Sequence, residues 1–214
     1  MPRSCERNMM PGFDRQFQRT KNTKTDVSQS EVNFLESAIK LFRYYKKLGE
    51  GAITQLDDEQ VLVRQNEASN SIALIVHHIS GNMLSRWTDF LTSDGEKLWR
   101  NREAEFEETY PDKKSMMEAW DKGWACLLSS LESLKPEDLS KIIYIRNEGQ
   151  NVLEAIQRAL AHYPYHVGQI IYQAKAIKGN DFKSLSIPKG SSESFNKEKF
   201  EQEKARKHFT EGLK

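Results

Sequence analysis

Residues 71–92 read SIALIVHHISGNMLSRWTDFLT, and the reading of this stretch decides the fold. Ile72, Ile75, Val76, Ile79, Met83, Trp87 and Phe90 recur at helical spacing and form one apolar stripe. Ser69 or Asn70 is the expected N-cap. Polar residues occupy the flanks of the stripe. His78, Asn82, Ser85, Arg86 and Asp89 share one flank, and His77 shares the other with Leu84 and Thr88. Consecutive helical residues are about 100° apart, so His77 and His78 cannot point into one site, and periodicity does not choose between them.

Working outward, three more helices are expected. The first is VSQSEVNFLESAIKLFRYYKKLG (27–49), with Gly49 as a natural stop. The next is KKSMMEAWDKGWACLLSSLESL (113–134), whose buried face is Trp120, Trp124, Leu127, Leu128 and Leu131. The last runs from about Val152 to Ile177. The connections are sizeable. SDGEKLWRNREAEFEETYPD (93–112) is long for a tight bundle, and loops of that length are often functional. KIIYIRNEGQ (141–150) is strand-like and fits a short ribbon, and NDFKSLSIPKGSSESFN (180–196) is irregular. The expected fold class is all-α: a four-helix bundle with long connections, plus a C-terminal irregular segment and a charged helix. The organisation is a polar extension over 1–26, the bundle over 27–196 and a charged helix over 197–214.

Composition narrows the function classes. The 214 residues carry 32 Lys+Arg against 31 Asp+Glu, so no global field steers the chain to nucleic acid or an anionic membrane. The two cysteines, Cys5 and Cys126, lack the CxxC spacing of zinc or redox sites, which is cytosol-like usage. Cys126 lies on an amphipathic helix and reads as a small buried hydrophobe. The longest apolar run, IALIV (72–76), is too short to span a bilayer, and the N-terminus has no signal-like apolar region. A cytoplasmic location is expected. No phosphate-cradling or nucleophile-elbow motif occurs.

The chemistry is carried by histidines. Of the five, His162 and His166 are four apart in HYPYHVGQI (162–170), about 40° from one another on a helical wheel. Gln169 and Gln173 extend their stripe, which flanks the apolar face of Val152, Ile156, Ala159, Tyr163, Val167, Ile170 and Ala174. Three histidines and no cysteine suit a divalent transition ion, zinc or nickel, with a coordination position left open. Pro164 lies between the pair, at a cost of about 3 kcal/mol in a regular helix. A kink there would put both imidazoles on its concave side and bring them together.

The sequence resembles the DinB-like superfamily of four-helix-bundle proteins, and more closely a branch of it without a known activity. The matching stretches are HISGNMLSRWTDFL (78–91), DGEKLWRNREAEFE (94–107), AWDKGW (119–124), IR (145–146), HYPYHVGQIIYQAK (162–175) and SLSIPKGSSESFN (184–196). Together they cover most of 30–196; the N-terminal extension and the charged C-terminal helix fall outside. The resemblance implies His78, His162 and His166 as metal ligands, with His78 opening the H-x-x-GN motif and His77 left without a role. It also implies a homodimer. Members of the superfamily include transferases that use a small bacterial thiol such as bacillithiol, held by the metal as thiolate.

Three functions follow. The first is a metal-dependent thiol S-transferase that conjugates a small thiol to an electrophile. The second is a metal-dependent hydrolase, and the third a non-catalytic metal- or ligand-binding dimeric bundle. A hydrolase is disfavoured because no carboxylate base stands on the His162/His166 stripe. Candidate substrate-binding residues are Asn82, Arg86, Arg146 and Gln169. Asn82 would orient a ligand, while Arg86 would hold a substrate carboxylate or pair with a glutamate of the 96–108 loop. Arg146 would face the cleft or pair with Glu148, and Gln169 would support His166. Arg100, Arg102, Glu103 and Glu107 read as solvated or structural ion pairs. Segment 184–196 is expected over the bundle end near the site, as a clasp more than a ligand contact.

Overall fold

The computed structural model describes residues 24–107 and 110–211, with side chains from residue 29 onward. Residues 1–23, which hold Cys5 and most of the expected extension, lie outside the described residues. Four long helices make the bundle: α1 (Lys24–Ile53), α2 (Ile72–Trp87), α4 (Lys113–Glu132) and α5 (Val152–Lys178). A short α3 (Ala104–Glu107) precedes α4, and α6 (Ser192–Phe200) follows α5. The long helices pack in the ring order α1–α4–α2–α5. Their shared core holds Phe42, Met83, Trp120, Trp124, Leu127 and Tyr163, all essentially inaccessible. No helix among the described residues is long and apolar enough to cross a membrane.

Helix ends follow local chemistry, with three departures from the sequence reading. First, the N-cap of α2 is Ser71, whose hydroxyl accepts from the Leu74 amide at 3.2 Å. Ser69 instead closes a turn with Asn66, and the Asn70 carbonyl accepts from the Gln173 amide. Second, α1 runs through Gly49. A Cβ there would stand 2.7 Å from Cζ2 of Trp120, so this glycine serves close helix packing and does not end the helix. Third, α2 stops at Trp87, before the expected Thr92, because Thr88 turns extended and Asp89 takes a left-handed φ of 48°. α2 is also buried on more than one face, with twelve of its sixteen residues covered, so its polar flank faces protein.

The strand-like segment forms an antiparallel ribbon of β1 (Ile142–Ile145) and β2 (Glu148–Asn151), with Ile145 opposite Glu148. Arg146 and Asn147 make the two-residue turn at φ 56° and 62°, the left-handed pair that matches strand twist. The Asp94 carboxylate accepts from both turn amides at 2.9 Å, and the Gly95 amide donates to the Tyr144 carbonyl at 2.8 Å. The ribbon is therefore tied to the loop after α2. Asn151 then caps α5 in a reciprocal box with Glu154, and α5 continues through Pro164 without a break.

At the C-terminus the charged helix is displaced from its expected place. α6 occupies Ser192–Phe200, and residues 201–211 are turns and coil. The irregular segment before it clasps the end of α1. Leu185 packs on Gly51, and Gln55 exchanges hydrogen bonds with the Lys183 backbone.

Candidate metal centre

α2 and α5 turn their polar flanks toward each other. His78 is buried on α2, and His162 and His166 are half-buried on α5. The ring centroids are 5.0 Å apart for His78–His166, 5.7 Å for His78–His162 and 4.8 Å for His162–His166. One nitrogen from each ring lies within 4.8 Å of the others, and the Nε2 atoms of His162 and His166 are 3.1 Å apart. Nitrogens held at about 2.0–2.1 Å around a tetrahedral ion stand roughly 3.3 Å from one another. The α5 pair already has that bite, so the three rings are a donor set that can hold a metal ion.

The outer nitrogens strengthen the fit. His78 Nδ1 meets Glu105 Oε2 at 3.0 Å, and His166 Nδ1 meets Gln169 Oε1 at 2.8 Å. Both partners are acceptors, so each Nδ1 donates and each Nε2 keeps its lone pair for the centre. Burial pushes His162 down to about 4, aided by the positive fields of His166, His78, Arg158 and Arg86. Burial also lowers His166, against its hydrogen bond to Gln169. Both are therefore neutral near pH 7, the form that ligates a metal.

Glu105 had no signal of its own in the sequence, where its loop read as mixed surface charge. It is 3% exposed. Arg100 grips it with two donors, Nε to Oε1 at 2.7 Å and Nη2 to Oε2 at 2.9 Å. Burial pushes the carboxyl up, but the bonds from His78 and Arg100 outweigh it and hold Glu105 below the usual carboxylate range. Room for it comes from Gly81, where a Cβ would overlap the carboxylate, 3.0 Å from Cδ and closer still to Oε1. Phe106 stacks on the His78 ring at 5.0 Å. A glycine one turn after His78 on a buried helix was the available hint that a side chain crosses there. Gly123 plays a similar part on α4, where a Cβ would stand 3.0 Å from the Ser80 backbone.

A cleft of about 590 Å³ opens from this cluster. His78, Asn82, Arg86, Arg146 and His162 all line it. Trp87 Nε1 donates to the Tyr163 hydroxyl at 3.0 Å, and that hydroxyl donates to Asn82 Oδ1 at 3.0 Å. Asn82 is thus fixed in the cleft wall. Arg86 fills the loop-holding role: it donates to the Gly95 carbonyl at 2.7 Å and lies 3.3 Å from Glu96. Arg146 faces the cleft but pairs with Glu96 at 3.0 Å, not with Glu148, because its turn reaches across to the loop. Gln169 supports His166 from behind. His77 lies against Tyr110 at 5.3 Å and is not part of the cluster. Segment 184–196 does not line the cleft.

Residues 29–191 match the model of a family described as "Protein of unknown function (DUF1572)", and the chain belongs to that family. No curated protein and no solved structure matches it.

Proposed function

From membership of a family without an assigned activity, we propose that this chain is a metal-dependent thiol S-transferase of the DinB-like type. His78, His162 and His166 hold a divalent transition ion, zinc or nickel. Its substrates are a small bacillithiol-like thiol and an electrophile, and its partner is a second copy of the chain. When bound, the ion supplies Lewis acidity that favours the deprotonated, nucleophilic form of a thiol at neutral pH.

The observation that carries the reading is the chemistry of the cleft wall beside the histidines. Among the described residues no Asp or Glu lines it. The nearest buried carboxylate, Glu105, is committed to His78 and Arg100. A hydrolase that draws a proton from attacking water needs a free base at that place. A thiol transferase does not, because a thiol ionises far more readily than water. The chain's own residues then position and select. Glu105 and Gln169 orient the ligating rings, and Asn82 offers its amide to the reacting group. The arginine-rich wall favours anionic parts of either substrate.

The test is a conjugation assay with a model electrophile, run with and without thiol and with and without zinc or nickel. Turnover that requires both is expected. Turnover without thiol would make the protein a hydrolase, and uptake of metal without any turnover would make it a binding module.

A further inference from the structure

Five arginines line the cleft: Arg86, Arg100, Arg102, Arg146 and Arg158. Few carboxylates answer them. Arg100 is taken by Glu105, while Arg86 and Arg146 share the single carboxylate of Glu96 at 3.3 and 3.0 Å. Among the described residues Arg102 pairs with one carboxylate, the exposed Glu103 at 3.8 Å, and its guanidinium lies 5.7 Å from the Phe106 ring centre. Arg158 has no carboxylate within ion-pair distance among the described residues. The wall therefore carries an excess of positive charge around a concave site. Arg86 is pushed below its usual range by burial and by the fields of Arg100 and Arg158, against the pull of Glu96.

Placement gives the charge a purpose. Arg158 stands one helical turn before His162 on α5, so its side chain continues the stripe that bears His162 and His166. Arg146 stands on the ribbon turn that Asp94 pins in place. Between them the wall is apolar, formed by Ile143, Ile145, Ala155 and Ala159. A cavity of about 590 Å³ is of the size that encloses a small organic molecule.

We infer that the cleft's ligand is a small molecule bearing an anionic group, a carboxylate or a phosphate. Arg146 and Arg158 receive that group, and the uncharged part lies along Ile145 and Ala159 toward the histidines. A planar guanidinium fork matches either oxyanion. The inference rests on the transferase reading only for which end of the ligand reacts. The anion subsite itself stands on the arginines.

Calorimetric titration of chelator-stripped protein at low salt tests it. Succinate and inorganic phosphate are the two probes, and succinamide is the neutral control. Saturable binding of at least one anion at one site per chain is expected, with none of succinamide. The tighter anion identifies the group. Arg158→Gln and Arg146→Gln should each weaken binding about tenfold, the loss of one charge-assisted hydrogen bond. Arg43→Gln, on α1 and outside the cleft, should leave it unchanged. Circular dichroism checks that the exposed-site variants remain folded. The inference is overturned if neither anion saturates, if both cleft variants bind like the parent, or if binding appears only after metal is restored. Anion binding by a protein that takes up no metal would sink the transferase reading and leave this one standing. Metal uptake without anion binding would do the reverse.

Discussion

Substituting Gly81 by alanine adds one methyl group where the Glu105 carboxylate lies. The new Cβ would stand 3.0 Å from Cδ of Glu105 and nearer to Oε1, so the carboxylate must retreat by about 1 Å to reach ordinary contact distance. It cannot do so and keep its bonds to Arg100 at 2.7 and 2.9 Å and to His78 at 3.0 Å. Two effects oppose each other. Replacing a mid-helix glycine by alanine stabilises a helix by about 1 kcal/mol. Breaking a buried ion pair costs about 3–5 kcal/mol. The net expectation is a loss of about 2–4 kcal/mol in denaturant unfolding of metal-free protein. Zinc affinity by competition titration should fall about 10–100-fold, the usual effect of losing the partner that orients a ligating histidine. In a Glu105→Ala background the same Gly81→Ala change should become neutral or stabilising, since nothing remains to clash. A Gly81→Ala protein as stable as its parent, with unchanged zinc affinity, would refute the placement of Glu105 behind His78.

Three further outcomes follow, two from α5 and one from Glu105 on α3. His162 titrates near 4 in the folded chain against an ordinary 6.5, so between those values the unfolded chain binds the extra proton. The Tm of metal-free protein should therefore fall as pH drops from about 6.5 to about 4; a parallel slope in His162→Gln would refute this. Below the ordinary carboxylate range a second loss sets in as Glu105, whose folded value is depressed, takes up its proton. Pro164→Ala should raise stability toward the roughly 3 kcal/mol that an interior proline costs, while lowering zinc affinity. Unchanged affinity would show that the proline does nothing for the histidine pair.

What the sequence made legible was whatever obeys helical periodicity. The core face of α5 and the stacking of His162 on His166 both follow from 3.6 residues per turn. What it hid depends on tertiary contact. Arg100 and Glu105 look like solvent-facing charges in a polar loop, and they are buried because each neutralises the other. Gly49 looks like a helix stop, yet it lies inside α1, and the Trp120 indole occupies the space a side chain there would need. Arg146 has a glutamate two residues away and pairs instead with Glu96, fifty positions earlier, because Asp94 ties the ribbon to that loop. The choice between His77 and His78 could not come from periodicity alone. In the structure His78 faces the α5 pair and His77 faces Tyr110.

The central claim is that three imidazoles form one metal site, and metal content tests it most directly. Purified protein, and protein stripped and titrated with zinc or nickel, should bind one ion per chain with a rise in Tm. His78→Ala, His162→Ala and His166→Ala should each abolish that binding, and His77→Ala should keep it. A protein whose occupancy and Tm do not respond to either ion, or one that loses binding with His77→Ala and retains it with His78→Ala, would contradict the account.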